Sequence, residues 1–200
     1  MKPYYQDSAV TIYHGDCRDI VPQLGRFDLL LTDPPYGIGK INQGGGRPAH
    51  MRDTLSWDLE TVDIYPLLET AQNAIVWGAN YYQLKPSRCW LGWIKRDAVP
   101  SMANLELAWT SFDKNSKYFD TTIAATNAER VAHPTQKPLA LIRWCLSQAG
   151  EAQTILDPFA GSGTTGRAAK DLNKEAVLVE IEEKYCEIAA NRMCQEVLNL

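Results

Sequence analysis

Hydrophobic positions along the chain fall into two patterns. Short runs rich in β-branched and aromatic residues read as strands at 10–13, 27–32, 74–77, 89–94, 106–110, 154–156 and 176–179. Several are continuously apolar, such as Leu29-Leu30-Leu31 and Ala74-Ile75-Val76-Trp77, as strands covered on both faces require. Between them, apolar residues at helical spacing predict helices over 18–24, 60–73, 138–148, 164–172 and 182–198. In the last of these, Tyr185, Ile188, Ala189, Met193 and Val197 keep roughly helical spacing, with Glu and Lys between them. Strands alternate with helices, so the pattern predicts an α/β fold with a central, mostly parallel sheet flanked by helices.

Two stretches break the pattern. Residues 37–56 contain Gly44-Gly45-Gly46 with Lys40, Arg47 and Arg52, and are too long for an ordinary connection; they read as a functional loop. Residues 113–133 are small and polar, with Lys114, Lys117 and Arg130. No repeat, low-complexity tract or linker is visible, and 200 residues match one domain spanning 1–200.

Composition narrows the class. With 45% hydrophobic and 22% charged residues, the chain has an ordinary globular make-up. No apolar stretch approaches the ~20 residues that cross a bilayer. The first seven residues lack a signal-peptide core, so a cytoplasmic protein with no membrane partner is expected. Five scattered cysteines and three distant histidines, His14, His50 and His133, argue against a disulfide framework and a metal centre. The net charge of −4 does not favour a nucleic-acid partner, but its distribution is uneven. Residues 85–143 hold nine basic and five acidic side chains, whereas the flanking parts are acidic. The basic middle suits a phosphate-facing surface and equally an ordinary solvated one.

Two strand ends carry chemistry. The run 154–156 leads into Asp157-Pro158-Phe159-Ala160-Gly161-Ser162-Gly163-Thr164-Thr165. There Gly161 and Gly163 let the backbone reach positive φ and approach a ligand. Residues 161–166 also match a dinucleotide fingerprint, a weak signal alone, and lack the Lys-Ser/Thr ending of a phosphate-binding P-loop. Glu180 ends the next strand, where a carboxylate can accept from both hydroxyls of a ribose. Early in the chain, 27–32 runs into Asp33-Pro34-Pro35-Tyr36, whose two prolines fix φ and exclude helix.

The tetrapeptide and the glycine-rich string together resemble the amino-methylating DNA methyltransferases of the permuted group, in which the catalytic tetrapeptide precedes the cofactor loop. The resemblance implies a circularly permuted, Rossmann-like fold that uses S-adenosyl-L-methionine. It makes Asp33 and the Pro34 carbonyl the acceptors of the target amine, and Tyr36 the ring that stacks on a flipped base. It places Asp157 at the methionyl ammonium and lines the cofactor with Phe159, Gly161, Ser162, Gly163 and Thr164. Glu180 then serves the cofactor ribose and Asp16 its adenine amine. His133-Pro134-Thr135-Gln136-Lys137-Pro138 resembles the segment before the cofactor loop, with Thr135 and Lys137 as contacts to the methionyl carboxylate. Asp16 and Asp157 also suit helix N-caps, and 133–138 a plain turn.

The activity implied is N6-methylation of adenine in DNA, since Asp at the first motif position favours adenine. Cytosine-N4 methylation is the nearest alternative, followed by RNA or protein-amide methylation. DNA contacts are expected from the two irregular segments, through Lys40, Arg47, Arg52, Lys117 and Arg130. A homodimer is compatible with the sequence, which does not set the oligomeric state. Outside this class stand a nicotinamide-dependent oxidoreductase, which leaves Asp33–Tyr36 unexplained, and a catalytically silent DNA-binding regulator, against which the intact motifs argue.

Overall fold

A computed structural model describes residues 1–38, 61–99, 103–128 and 136–195. Its strands are β1 (Tyr5–Gln6), β2 (Val10–His14), β3 (Phe27–Thr32), β4 (Ala71–Trp77), β5 (Trp90–Lys95), β6 (Leu105–Thr110), β7 (Lys117–Thr121), β8 (Thr154–Asp157) and β9 (Glu175–Glu180). All join one sheet in the order β1-β2-β9-β8-β3-β4-β6-β5-β7. The sheet is mixed. β2, β9, β8, β3 and β4 run parallel, β6 is antiparallel to both β4 and β5, and β7 runs parallel to β5.

Alternating side chains feed two cores. Leu29, Leu31, Ile75, Trp77 and Leu178 face one side. There they meet α4 (Leu139–Gln148), α5 (Thr164–Asp171) and α6 (Glu183–Cys194) through Leu141, Cys145, Ala168, Ala189 and Met193. Leu30, Ala74, Val76, Leu156 and Val179 face the other side. Their cover is α1 (Cys17–Ile20), a 3-10 turn at Val21–Gln23 and α2 (Tyr65–Leu68). Near-continuous apolar strands are therefore buried on both faces, as their composition requires.

Chain order explains the permutation. The glycine-bearing unit β8–α5–β9 comes last in sequence but sits in the middle of the sheet, with β8 directly beside β3. Successive units wind to opposite sides of this pair: β9 lies beyond β8 and β4 beyond β3. A crevice opens at such a reversal outside the carboxyl ends of the strands, where ligands of open α/β sheets bind.

The predicted elements need three corrections. Within the described part of 60–73, only Tyr65–Leu68 is helical, while Ala71–Trp77 forms β4. The reason is pairing: Ala71 and Asn73 stand opposite Phe27 and Leu29, and the Thr70 carbonyl accepts from Phe27 N–H at 2.9 Å. Residues 113–133 are not irregular throughout, because they contain β7 and α3 (Ile123–Ala128). β7 escapes detection because it is a polar edge strand whose Phe119 packs on Trp144 of α4, with ring centroids 5.7 Å apart. The short β1, antiparallel to β2, was not expected either.

Candidate active site

Four carboxylates stand at the carboxyl ends of four adjacent parallel strands. Asp157 ends β8, Glu180 ends β9, Asp33 follows the last residue of β3, and Asp16 lies two residues beyond β2. The register aligns Leu30 with Leu156, Asp157 with Leu178, and His14 with Glu180. Asp33 and Asp157, far apart in sequence, thereby reach neighbouring strand ends.

The glycine-rich turn is built around buried acceptors. Gly161 and Gly163 have φ of +51° and +75°, and Gly163 precedes α5. A Cβ at Gly163 would lie 2.7 Å from Ala189 Cβ, so the turn and α6 are in contact only because that side chain is absent. Asp157 accepts from Phe159 N–H at 3.1 Å and from the Thr165 hydroxyl at 2.6 Å. Burial pushes its pKa up to about 7 against those two bonds, and the charges of Asp33 and Glu180 add to the rise. Glu180 accepts from Gly161 N–H at 2.7 Å and Glu182 N–H at 2.9 Å, and burial still raises it. Ser162 donates to Gln136 at 3.2 Å, and Arg192 donates to Thr164 at 2.9 Å. Phe159 is half-buried beside the turn.

Asp16 caps α1, accepting from Arg18 N–H at 2.8 Å, and its carboxylate also pairs with the Arg18 guanidinium. That pairing holds the Asp16 carboxyl below its ordinary value. The capping alternative is thus realised, and it leaves Asp16 at the strand-end crevice.

On the other side of the crevice, Tyr36 donates its hydroxyl to Asp33 Oδ1 and stacks on Tyr81, with centroids 5.0 Å apart and planes 17° apart. Burial, then the Asp33 charge, hold the Tyr36 phenol well above its usual value. Tyr82 donates to the Pro35 carbonyl. The tetrapeptide is therefore fixed by the turn after β4 as well as by its own prolines.

Lys137 occupies a place the sequence did not indicate. Its ammonium lies 2.5 Å from Asp33 Oδ2 and 3.3 Å from Glu106 Oε2, and Glu106 pairs in turn with Lys95. Burial alone would lower the Lys137 pKa; Asp33, Tyr36 and Glu106 outweigh it and hold the group well above the ordinary lysine value. Glu106 and Lys95 were missed as site residues. Their signal was a charge within an otherwise apolar strand, at Leu105-Glu106-Leu107 and Trp93-Ile94-Lys95.

Of the remaining expected residues, Thr135, Lys40, Arg47, Arg52 and Arg130 lie outside the described residues. Lys117 does not join the site. It opens β7 opposite Leu91, near the start of β5, on the edge of the sheet away from the carboxyl ends of β3 and β8. Lys114 and Asn115 belong to that same edge, bonding Gln148 and Arg88. Among the described residues, no His, Cys, Asp or Glu cluster could hold a metal, and no helix is long and apolar enough to cross a membrane.

Known proteins are similar to this chain. The type II methyltransferase M.ScaI of Streptomyces caespitosus is 27% identical over the whole of this chain and 86% of its own length. The type II methyltransferase M2.LlaDCHI of Lactococcus lactis subsp. cremoris is 25% identical over 96% of this chain and 92% of its own. Among solved structures, the M1.HpyAVI–SAM complex superposes with a TM-score of 0.60 at 23% identity, covering 93% of this chain and 100% of that one. The cytosine-N4-specific PvuII DNA methyltransferase gives 0.66 at 16% identity, covering 100% and 90%. These two structures share the fold. The family model for DNA methylases of the N6/N4 group matches residues 80–191, more than half of the chain and inclusive of the glycine-rich turn. With the carboxylate-bearing tetrapeptide beside that turn, the chain belongs to the N6/N4 DNA methylase family.

Proposed function

We propose that this protein transfers a methyl group from S-adenosyl-L-methionine to the N6 amine of an adenine flipped out of DNA. The observation that carries the reading is the juxtaposition of Asp33 and Asp157 at neighbouring strand ends, one for each reactant.

The residues present fit the cofactor. Asp157 is a buried carboxylate whose described partners are the neutral Phe159 N–H and Thr165 hydroxyl, and burial, with the Asp33 and Glu180 charges, makes its ionised form costly. A cationic ammonium is the partner such a group lacks. Phe159 and the backbone of 161–164 would line the cofactor, Glu180 would accept from its ribose, and Asp16 from its adenine amine. When bound, the cofactor supplies a methyl group on a cationic sulfur, open to direct displacement.

The chain's own contribution is to the amine. The Asp33 carboxylate and the Pro34 carbonyl accept its two hydrogens, which draws the nitrogen out of conjugation and aims its lone pair across the crevice. Tyr36, held by Asp33 and backed by Tyr81, offers the base an aromatic surface. No covalent intermediate is required, and Cys145 and Cys186, buried with raised thiol pKa values, are unsuited to nucleophilic work.

Asp at the first position of the tetrapeptide supports adenine. The likeness to a cytosine-N4-specific fold keeps N4-methylation of cytosine as the second reading. Incubation with DNA and cofactor, digestion to nucleosides and mass spectrometry separate the two. N6-methyladenine is expected; N4-methylcytosine supports the second reading, and no methylated nucleoside refutes both.

A further inference from the structure

The family resemblance makes Lys137 a contact to the methionyl carboxylate, and the structure adds a pairing with Asp33 that the sequence did not indicate. The Lys137 ammonium sits on Asp33 Oδ2, and its neighbours form an alternating row of charges from Asp33 through Lys137 and Glu106 to Lys95. Each link comes from a different part of the chain: the turn after β3, the segment before α4, β6 and β5. The row is well covered, with the Lys137 and Lys95 side chains each about 10% exposed. Two indole rings lie alongside, Trp77 5.7 Å from the Lys137 ammonium and Trp93 4.4 Å from that of Lys95.

We infer that Lys137 is a positioning residue for the catalytic carboxylate, held in place by Glu106 and Lys95, rather than a ligand of the cofactor. The inference rests on the amine-gripping role of Asp33 proposed above. A carboxylate rotates easily about its last bond, because the minimum there is broad. An acceptor that must meet one amine hydrogen along a fixed direction therefore needs both oxygens anchored. Tyr36 anchors Oδ1 and Lys137 anchors Oδ2, so the carboxylate plane is set before substrate arrives. Lys137 is fixed in turn, since Glu106 takes a second of its hydrogens and Lys95 occupies the other Glu106 oxygen. Alternating signs leave no buried charge uncompensated, which keeps the row tolerable in a poorly solvated place.

The two roles for Lys137 differ in kinetics. A ligand of the methionyl carboxylate acts on cofactor affinity; a positioner of Asp33 acts on turnover at saturating cofactor. The test uses the full chain with DNA and S-adenosyl-L-methionine, comparing the parent with Lys137→Met, Lys137→Arg, Glu106→Gln and Lys137→Met/Glu106→Gln. Lys137→Met is expected to lower kcat by about 10–100-fold, the range of one charge-assisted hydrogen bond, with cofactor KM and calorimetric Kd within about threefold of the parent. Lys137→Arg should recover most of the loss. Glu106→Gln should lower kcat on its own but not further in the Lys137→Met background, because it acts through Lys137. Glu106→Gln keeps Lys137 on Asp33 and an amide oxygen for Lys95, so its kcat and cofactor Kd remain measurable where Lys137→Met does not fold.

A rise in cofactor KM and Kd at unchanged kcat in Lys137→Met overturns the inference and restores the cofactor contact. Unchanged constants, or additive losses in the double variant, overturn it too. An inactive parent instead overturns the functional reading on which it rests, and so separates the two failures.

Discussion

A Cβ atom on Gly78 would overlap the ring of Tyr36, and Gly78 also has a φ of +65°. The turn after β4 therefore needs glycine twice, once for its backbone and once to seat the aromatic ring of the tetrapeptide. Gly78→Ala should destabilise the fold by about 1–3 kcal/mol through strain and overpacking. Displacement of the ring should reduce turnover well before cofactor affinity. Thermal melting, kcat and cofactor Kd measured side by side check this; a loss confined to cofactor binding would contradict it.

Tyr36 contributes a hydroxyl as well as a ring. Stacking alone predicts that Tyr36→Phe keeps much of the activity. The bond from its hydroxyl to Asp33 predicts instead a loss of about tenfold in kcat, from roughly 1.5 kcal/mol of charge-assisted hydrogen bonding. Tyr36→Ala should lose that and a further ~1–3 kcal/mol of base stacking. Steady-state kinetics on one duplex decide the matter, and equal activity of Tyr36→Phe and parent would remove the hydroxyl from the mechanism.

Gly163→Ala tests the other half of the crevice. Its Cβ would press on the α6 backbone, 3.1 Å from Ala189 Cα, at a φ of +75°. The expected result mirrors that at Gly78: weaker cofactor binding and a lower melting temperature, with kcat largely recovered at saturating cofactor. A variant that binds cofactor like the parent would show that α6 and the turn move apart freely.

Asp157 links cofactor binding to pH. Its carboxyl is raised to about 7, whereas the contact to the cofactor ammonium proposed above needs the ionised form. Affinity should weaken as pH falls through about 7, with proton release on binding, which calorimetry in buffers of different ionisation enthalpy detects. Folding stability runs the other way. A pKa raised from 3.8 to about 7 means the folded chain binds the extra proton, so this contribution is complete below about pH 4 and lost as pH rises towards 7. Asp157→Asn should therefore melt increasingly above the parent between pH 4 and pH 8 while losing cofactor affinity. A melting difference that does not change with pH would refute the assignment.

Much of the sheet could be read directly. β3 occupies the predicted residues 27–32 because a continuous apolar run admits no amphipathic alternative, and β8 and β9 each begin within one residue of their predicted starts. Asp33, Asp157 and Glu180 were legible as strand-end carboxylates, because each ends or follows such a run, and the structure sets them at the carboxyl ends of neighbouring strands. Segment 71–73 read as helix because local spacing carries no information about Phe27 and Leu29, the partners that draw it into β4. β7 was missed because its character depends on an open sheet edge, not on its own polar sequence.

The sequence by itself determined the α/β class and the two motifs with their order, since these rest on period, composition and local backbone chemistry; the permutation followed from the family resemblance that those motifs carry. Tertiary structure decided which charges meet. Lys137 pairs with a carboxylate 104 residues away, Glu106 reaches Lys137 from an antiparallel strand, and Lys117 falls at the amino end of the edge strand β7. Electrostatic partnership is a matter of distance in space and of burial, and neither is encoded in the neighbours a residue has along the chain.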